Sequence, residues 1–225
     1  MDQDIRQIVE AALLVFAALL PIVNPLGAAP VFLAMTSDCT PALRASLANR
    51  IAINAFVLLL GSLFIGTWVL EFFGLSVPIV QVAGGIVVCA AGWDLLRQHE
   101  EDRATGPEPA PSATEMARRA FYPLTLPLTV GPGSISVAIT IGANHPHSMR
   151  SLVVNAFGNL AGVTLTAATI FVCFRYSERI MRGLGATGAS VVMRLSAFIL
   201  LCIGVQIFWN GAYALLATVP ILSQR

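Results

Sequence analysis

Six long stretches of this sequence contain no charged residue, and they constrain the fold more than any other feature. They cover residues 11–37, 51–70, 72–93, 120–149, 151–174 and 195–224. Each has at least 20 residues, about the length that an α-helix needs to cross a ~30 Å hydrocarbon core. A transmembrane β-barrel would show alternating segments of about ten residues instead. The pattern therefore predicts an all-α, polytopic membrane protein with six transmembrane helices.

The composition excludes the common soluble classes. Of the 225 residues, 56% are hydrophobic and 11% are charged, and the net charge is +1, whereas soluble domains carry about 25% charged residues. A surface with so few charges argues against a soluble enzyme, a nucleic-acid binder and a disordered chain. The expected partner is the lipid bilayer. The sequence also contains no H-E-x-x-H motif and no pair of intramembrane aspartates, so we expect no enzymatic activity, no metal site and no cofactor.

A polar, proline-rich connection divides the six spans into two sets of three. Residues 98–119 are predicted to form a disordered linker. They separate a first three-helix repeat (1–97) from a second three-helix repeat (120–225).

Arginine residues in the connections predict the orientation, because cytoplasmic loops are enriched in positive charge. The loops between spans one and two, three and four, and five and six contain nine arginines: Arg44, Arg50, Arg97, Arg103, Arg118, Arg119, Arg175, Arg179 and Arg182. The opposite side contains three: Arg6, Arg150 and Arg225. This count places both termini outside and linker 98–119 in the cytoplasm.

Prolines recur at the same spacing in spans one and four. They are Pro21, Pro25 and Pro30 in the first, and Pro123, Pro127 and Pro132 in the second. A second register aligns Asn24–Gly27 with Gly131–Ser134, and the sequence alone does not choose between the two. Because each half has an odd number of spans, the second half would be inserted upside down relative to the first.

Three prolines within ten residues break or sharply kink a helix. The prediction is a 3+3 inverted repeat with discontinuous helices 1 and 4; two simple proline kinks are the alternative. Interrupted segments at corresponding places in two halves indicate a transporter's binding site. The N-termini of the two second pieces would face each other near the midplane and attract one carboxylate. The predicted substrate-binding residues at the breaks are Asn24, Pro25, Gly27, Ala28, Thr129, Gly131, Pro132, Gly133 and Ser134.

Small and polar residues also share one face of span five. Asn155 and Asn159 belong to this face, together with Gly158 and Gly162, and they are added to the predicted substrate site. Close helix packing and cavity lining both explain such a face. No carboxylate lies near the middle of a span, which weakens proton coupling; Na⁺ coupling and no coupling remain alternatives. The oligomeric state is also open, with a homo-oligomer as one alternative.

The motifs N-P-x-G-x-x-P-x-F, beginning at Asn24, and G-P-G-x-I, beginning at Gly131, resemble those of the MarC family. This family of six-span bacterial inner-membrane proteins includes small neutral amino acid transporters. The resemblance covers essentially the whole chain in span number and motif position. It implies transport of glycine, alanine, serine or similar solutes across the cytoplasmic membrane.

The leading hypothesis is therefore a secondary transporter or exporter of small zwitterionic amino acids, with the carboxylate at the opposed half-helix N-termini. The alternatives are a channel or broad-specificity efflux protein, and a non-transporting membrane scaffold. Substrate identity and direction of transport do not follow from the sequence.

Overall fold

A computed structural model of the chain describes residues 2–36, 39–97, 120–126, 129–143 and 149–217. The predicted linker 98–119, Pro127 and residues 218–225 lie outside these ranges. The described residues form α1 (Asp2–Val23), α2 (Pro25–Met35), α3 (Pro41–Phe72), α4 (Val77–Arg97), a π-helical segment (Ala120–Thr125), α5 (Pro132–Ala143), α6 (Met149–Arg175) and α7 (Ser177–Ala217).

Five helical stretches are long and apolar enough to cross a membrane: Gln3–Leu33, Pro41–Phe72, Val77–Asp94, Arg150–Arg175 and Ser190–Ala217. Large apolar side chains such as Trp68 and Phe72, 71% and 84% exposed, give these helices a surface that suits lipid. An all-helical membrane protein is thus confirmed. The predicted fourth span is different, because its described part consists of the π-helical segment and the 12-residue α5, which is only about 18 Å long.

The turn between α3 and α4 is a tight hairpin. Gly74 has φ of +66°; the Leu75 N–H donates to the Leu70 carbonyl at 2.8 Å and the Gly74 N–H to the Glu71 carbonyl at 3.0 Å. These two bonds form a Schellman motif, which glycine favours because it adopts positive φ freely. The side of the bundle that contains this turn is called the hairpin end below.

Two pairs of helices pack through glycine. In the antiparallel pair of α4 and α7, Gly85 faces the backbone of Phe208 and Gly92 faces that of Leu201. In the parallel pair of α1 and α6, Gly158 faces Ala11 and Gly162 faces Val15. Small residues let helix backbones approach closely, which is a main source of stability in a bilayer.

The short helices lie between the long ones. Helix α5 packs against α3 and α4 and, less extensively, against α1, whereas α2 packs against α6 and α7. Helix α3 also contacts α6 and the π-helical segment. One buried apolar cluster runs through the centre and includes Val23 and Ala28 beside the start of α2, and Leu124 and Val130 before α5. Both predicted interruptions therefore border the same core.

Candidate functional site

The first interruption is at Asn24, the single residue between α1 and α2. Asn24 has φ of +45°, a left-handed conformation that asparagine tolerates better than most residues. Backbone bonds continue through it, because its N–H donates to the Leu20 carbonyl at 2.9 Å and the Ala28 N–H donates to its own carbonyl at 3.0 Å. The chain is bent here rather than fully unwound.

Asn24 also caps α2 with its side chain. The Gly27 N–H donates to Asn24 Oδ1 at 3.1 Å, which is the usual N-cap bond to the third helical residue. A Cβ atom at Gly27 would overlap the Asn24 amide group, so glycine is required for this contact. The Gly27 and Ala28 N–H groups, both predicted to bind substrate, thus have acceptors within the protein.

The second interruption has a wider helical spacing. Tyr122 has an extended backbone, with φ of −128° and ψ of 124°, as expected for a residue that precedes proline. The Leu126 N–H then donates to the Phe121 carbonyl, and the Val130 N–H to the Thr125 carbonyl, both at 2.8 Å. These i-to-i−5 bonds are typical of π-helical turns, which are frequent at functional sites.

Threonine hydroxyls complete the second interruption. Thr129 Oγ1 donates to the Leu124 carbonyl at 2.7 Å, and Thr125 Oγ1 donates to the Ala120 carbonyl at 2.6 Å. Asn54 of α3 reaches the same segment, since its Nδ2 lies 3.4 Å from Thr125 Oγ1. Thr129 and Thr125 are both buried, and their hydroxyls satisfy carbonyls of the irregular backbone, which are costly to leave unpaired in a membrane.

The N-terminus of α5 differs from that of α2 because no side-chain oxygen among the described residues caps its third residue, Ser134. Gly131 precedes the helix; its carbonyl accepts from the Ile135 N–H at 3.1 Å and from Ser134 Oγ at 2.9 Å. The N–H groups of Gly133 and Ser134 have no acceptor among the described residues, although both residues are buried. Such a helix end carries a partial positive charge and available donors.

Gly133 is also packed tightly against α4. A Cβ atom there would overlap Val88 Cγ2, and one at Gly84 would come within 2.8 Å of Ser136 Cβ. Ser136 Oγ in turn donates to the Val80 carbonyl at 3.1 Å. The start of α5 is therefore held against the middle of α4 by contacts that only small residues permit.

The two interruptions have the same local architecture. Pro25 and Pro132 are each the first residue of the second helix, a position that suits proline because its missing N–H is not needed there. This local equivalence follows the second of the two sequence registers. However, α2 and α5 pack against different long helices and are not among the pairs with extensive contact in the described part of the chain.

Asn155 and Asn159 lie away from the interruptions. They line a cavity of about 390 Å³ together with Gln7 and Glu10 of α1, and Asn155 Oδ1 accepts from Gln7 Nε2 at 3.0 Å. Asn24 is about 26 Å further along α1 than Gln7, at 1.5 Å per residue. The sequence grouped them with the breaks because one helical face continues along all of α6. Gly158 and Gly162, which belong to the same predicted face, instead pack against α1.

Two features of the structure were not found from the sequence. Gln7 and Glu10 belong to the cavity, although no motif in the sequence pointed to either residue. Arg44 lies at the end opposite the hairpin, with its side chain 12% exposed. It donates to the Thr36 carbonyl at 2.9 Å, to Thr36 Oγ1 at 3.2 Å and to a Glu178 oxygen at 3.3 Å. Its position next to the end of α2 was not apparent from a count of loop arginines.

Comparison with known proteins gives consistent matches over most of the chain. Residues 9–216 match the model of the MarC family integral membrane protein. The chain is 30% identical over 199 residues to the UPF0056 membrane protein MJ1677 of Methanocaldococcus jannaschii, covering 88% of this chain and 94% of that protein. It is 29% identical over 206 residues to the UPF0056 inner membrane protein MarC of Salmonella paratyphi A, covering 89% and 93%.

A third relative is the UPF0056 membrane protein YhcE of Escherichia coli, 32% identical over 197 residues, with 87% of this chain and 89% of that protein covered. No solved structure matches the chain significantly. The matched residues include both interruptions and nearly all of the five long helical stretches, and on this basis the chain belongs to the MarC family of integral membrane proteins.

Proposed function

We propose that this protein is a secondary carrier of small neutral amino acids across the bacterial cytoplasmic membrane. The proposed site lies at the two helix interruptions, with the substrate carboxylate at the N-terminus of α5. The observation that carries this proposal is the pair of buried Gly133 and Ser134 N–H groups without an acceptor among the described residues. A buried donor without a partner costs about 1–3 kcal/mol, and a carboxylate satisfies two of them at once.

The first interruption supplies the complementary groups. Pro25 and Pro30 have no N–H, so the carbonyls of Pro21 and Leu26 lose their normal helical donors. Such carbonyls accept hydrogen bonds from a substrate ammonium or bind a coupling Na⁺ ion. The N-terminus of α2 would join the site once Asn24 Oδ1 leaves the Gly27 N–H. In this proposal, both helix N-termini offer free N–H donors to the substrate only in the bound state.

The packing around α5 supports a preference for small substrates. Gly84, Gly133 and Ser136 bring α4 and α5 so close that a methyl group at either glycine would meet a neighbouring side chain. A bulky substrate side chain would therefore have to displace this contact. Glycine, alanine and serine, which have small side chains, are the solutes that best fit beside this contact.

The contacts between helices support an inverted repeat. In such a repeat, span one is equivalent to span four, span two to span five, and span three to span six. The contact of α2 with α7 then corresponds to that of α5 with α4. The contact of α1 with α6 corresponds to that of the π-helical segment with α3, and the contact of α2 with α6 corresponds to that of α5 with α3. The pairs α3 with α6 and α4 with α7 map onto themselves. Inverted repeats of this kind underlie alternating access in many carriers.

The end opposite the hairpin supports a carrier over a permanently open channel. Phe32 of α2 and Phe174 of α6 stack with ring centroids 4.6 Å apart and an angle of 6° between the rings, and both are fully buried. Arg44 ties the end of α2 to Glu178 of α7 beside them. These contacts close one end, whereas a cavity of about 390 Å³ lies near the hairpin end.

The test is uptake of labelled glycine, alanine and serine into proteoliposomes, with and without a Na⁺ gradient. A carrier gives saturable, stereoselective uptake, which Gly133→Leu and Pro25→Leu abolish while the protein still inserts. Gly61→Ala is the matched control, because nothing lies within 4 Å of a Cβ atom at Gly61. Non-saturable flux would indicate a channel, and no flux at all would favour a scaffold. A rise in the melting temperature of the purified protein only with bulky lipophilic cations would favour drug efflux.

A further inference from the structure

The 390 Å³ cavity near the hairpin end is separate from the proposed transport site. It is enclosed by the first turns of α1, the start of α6, the end of α5 and the last third of α3. Its volume is within the range of ordinary small-molecule pockets. Leu14, Leu63 and Phe64 form its apolar wall, and Gln7, Glu10, Asn155 and Asn159 supply its polar groups.

The polar groups of the cavity are one carboxylate and three side-chain amides. Glu10 contributes a carboxylate, one oxygen of which accepts from Arg6 Nε at 2.8 Å, and the second oxygen has no partner among the described residues. The Gln7–Asn155 hydrogen bond fixes the orientation of those two amides. Asn159, half-buried in the same wall, has no hydrogen-bond partner in the described part of the chain. One carboxylate and a nearby amide oxygen are the groups that bind a primary ammonium ion.

We infer that this cavity binds a primary ammonium group attached to a short aliphatic body, with the ammonium between Glu10 and Asn159 and the aliphatic part against Leu14 and Phe64. The inference rests on the proposed function only for the identity of the natural ligand, which would be an amino acid before it reaches the interruptions. The same ammonium chemistry occurs in aminophospholipid headgroups, and the experiment separates the two sources.

The site is tested by cysteine labelling of the full-length protein in detergent. Ala156→Cys, which lines the cavity, is introduced after Cys39, Cys89, Cys173 and Cys202 are replaced by serine. Its rate of reaction is measured with a cationic 2-aminoethyl methanethiosulfonate and with the neutral methyl reagent, each of which forms a disulfide and releases methanesulfinate. Phe73→Cys at the exposed hairpin corrects for the intrinsic difference between the reagents.

The expected result is a preference of about tenfold for the cationic reagent at position 156 relative to position 73, because the Glu10 carboxylate lines the same cavity and attracts a nearby cation. Glu10→Gln removes the preference and Asn159→Asp increases it. Asp94→Asn, at an exposed carboxylate outside this cavity and distant in sequence from position 73, leaves it unchanged. Millimolar isobutylamine slows labelling by the neutral reagent, whereas N-acetyl-leucine, which has no ammonium group, does not.

Three outcomes would overturn the inference: equal relative rates at the two positions, a preference that survives Glu10→Gln, or protection by phosphatidylethanolamine but not by isobutylamine. Labelling is measured without transport. Protection by isobutylamine therefore supports this cavity even where uptake is absent, and its failure counts against the cavity even where uptake is present.

Discussion

The side-chain oxygen of Asn24 accepts a hydrogen bond from the Gly27 N–H at 3.1 Å, so one residue both bends the first span and closes the end of the helix that follows. In the proposed mechanism this oxygen occupies a position that the substrate carboxylate would take. The cap and the substrate then compete for one donor.

Substitutions at Asn24 test this competition. Asn24→Asp keeps a capping oxygen but adds a negative charge, and we expect the KM for uptake to rise by about tenfold or more, since like charges repel strongly in a low-dielectric site. Asn24→Gly permits the positive φ without a competing oxygen, so its KM should be equal to or below that of the wild type. The measurement is concentration-dependent uptake into proteoliposomes. A lower KM for Asn24→Asp than for Asn24→Gly would contradict the model.

Gly133 provides a test of the tight contact between α4 and α5. Gly133→Ala should lower the melting temperature in detergent and reduce uptake, because the new methyl group overlaps Val88 Cγ2; overpacking of this kind typically costs about 1–3 kcal/mol. Val88→Ala in the same chain removes the overlap and should restore much of both. Gly61→Ala is the control, because a methyl group at this position has no neighbouring atom within 4 Å. Failure of Val88→Ala to rescue stability would exclude this contact as the cause.

Arg44 should contribute more to stability than Glu178. Arg44→Ala leaves the buried Thr36 hydroxyl and the end of α2 without their charged donor, and hydrogen bonds to charged groups are worth about 1.5–3 kcal/mol each. Glu178→Gln removes two ion pairs, to Arg44 and to Arg182, but its carboxylate is 51% exposed, so each pair is worth below about 1 kcal/mol. Thermal unfolding of the two variants in the same detergent compares them. Equal losses would mean that the ion pair, rather than the Thr36 bonds, holds this end.

The Phe32–Phe174 stack is expected to act as a seal. Phe174→Ala removes a fully buried ring, a change that costs about 3–5 kcal/mol in well-packed proteins, and it should also add a non-saturable component to solute flux. Phe174→Leu retains most of the volume and should retain saturable kinetics. The two components are separated by flux measured over a wide range of alanine concentrations. Full saturability in a folded Phe174→Ala protein would show that the seal lies elsewhere.

The positions of both interruptions followed from the sequence because their causes are local. Pro25 and Pro132 have no N–H to donate, whatever surrounds them, and the helices restart at those residues. The five long helices followed for a similar reason, since each overlaps one of the long charge-free runs of the sequence.

Tertiary placement could not be derived in the same way. Whether the Gly27 N–H is free depends on the rotamer and φ of Asn24, which the sequence does not specify. Asn155 was grouped with the interruptions by helical spacing alone, but spacing fixes only the face of α6, and the packing of α6 along α1 decides the depth. The cavity around Glu10 likewise exists only because four separate segments meet there.

The packing pattern has a mechanical consequence. Helices α1, α3 and α6 contact one another or a common neighbour, and α4 and α7 form the most extensive pair, but within the described residues these two groups touch mainly through α2 and α5. If each group rotates as a solid block, the interrupted segments are the linkages between the blocks. A solute bound at their ends would then lie at the pivot, where a small change in its contacts tilts one block against the other.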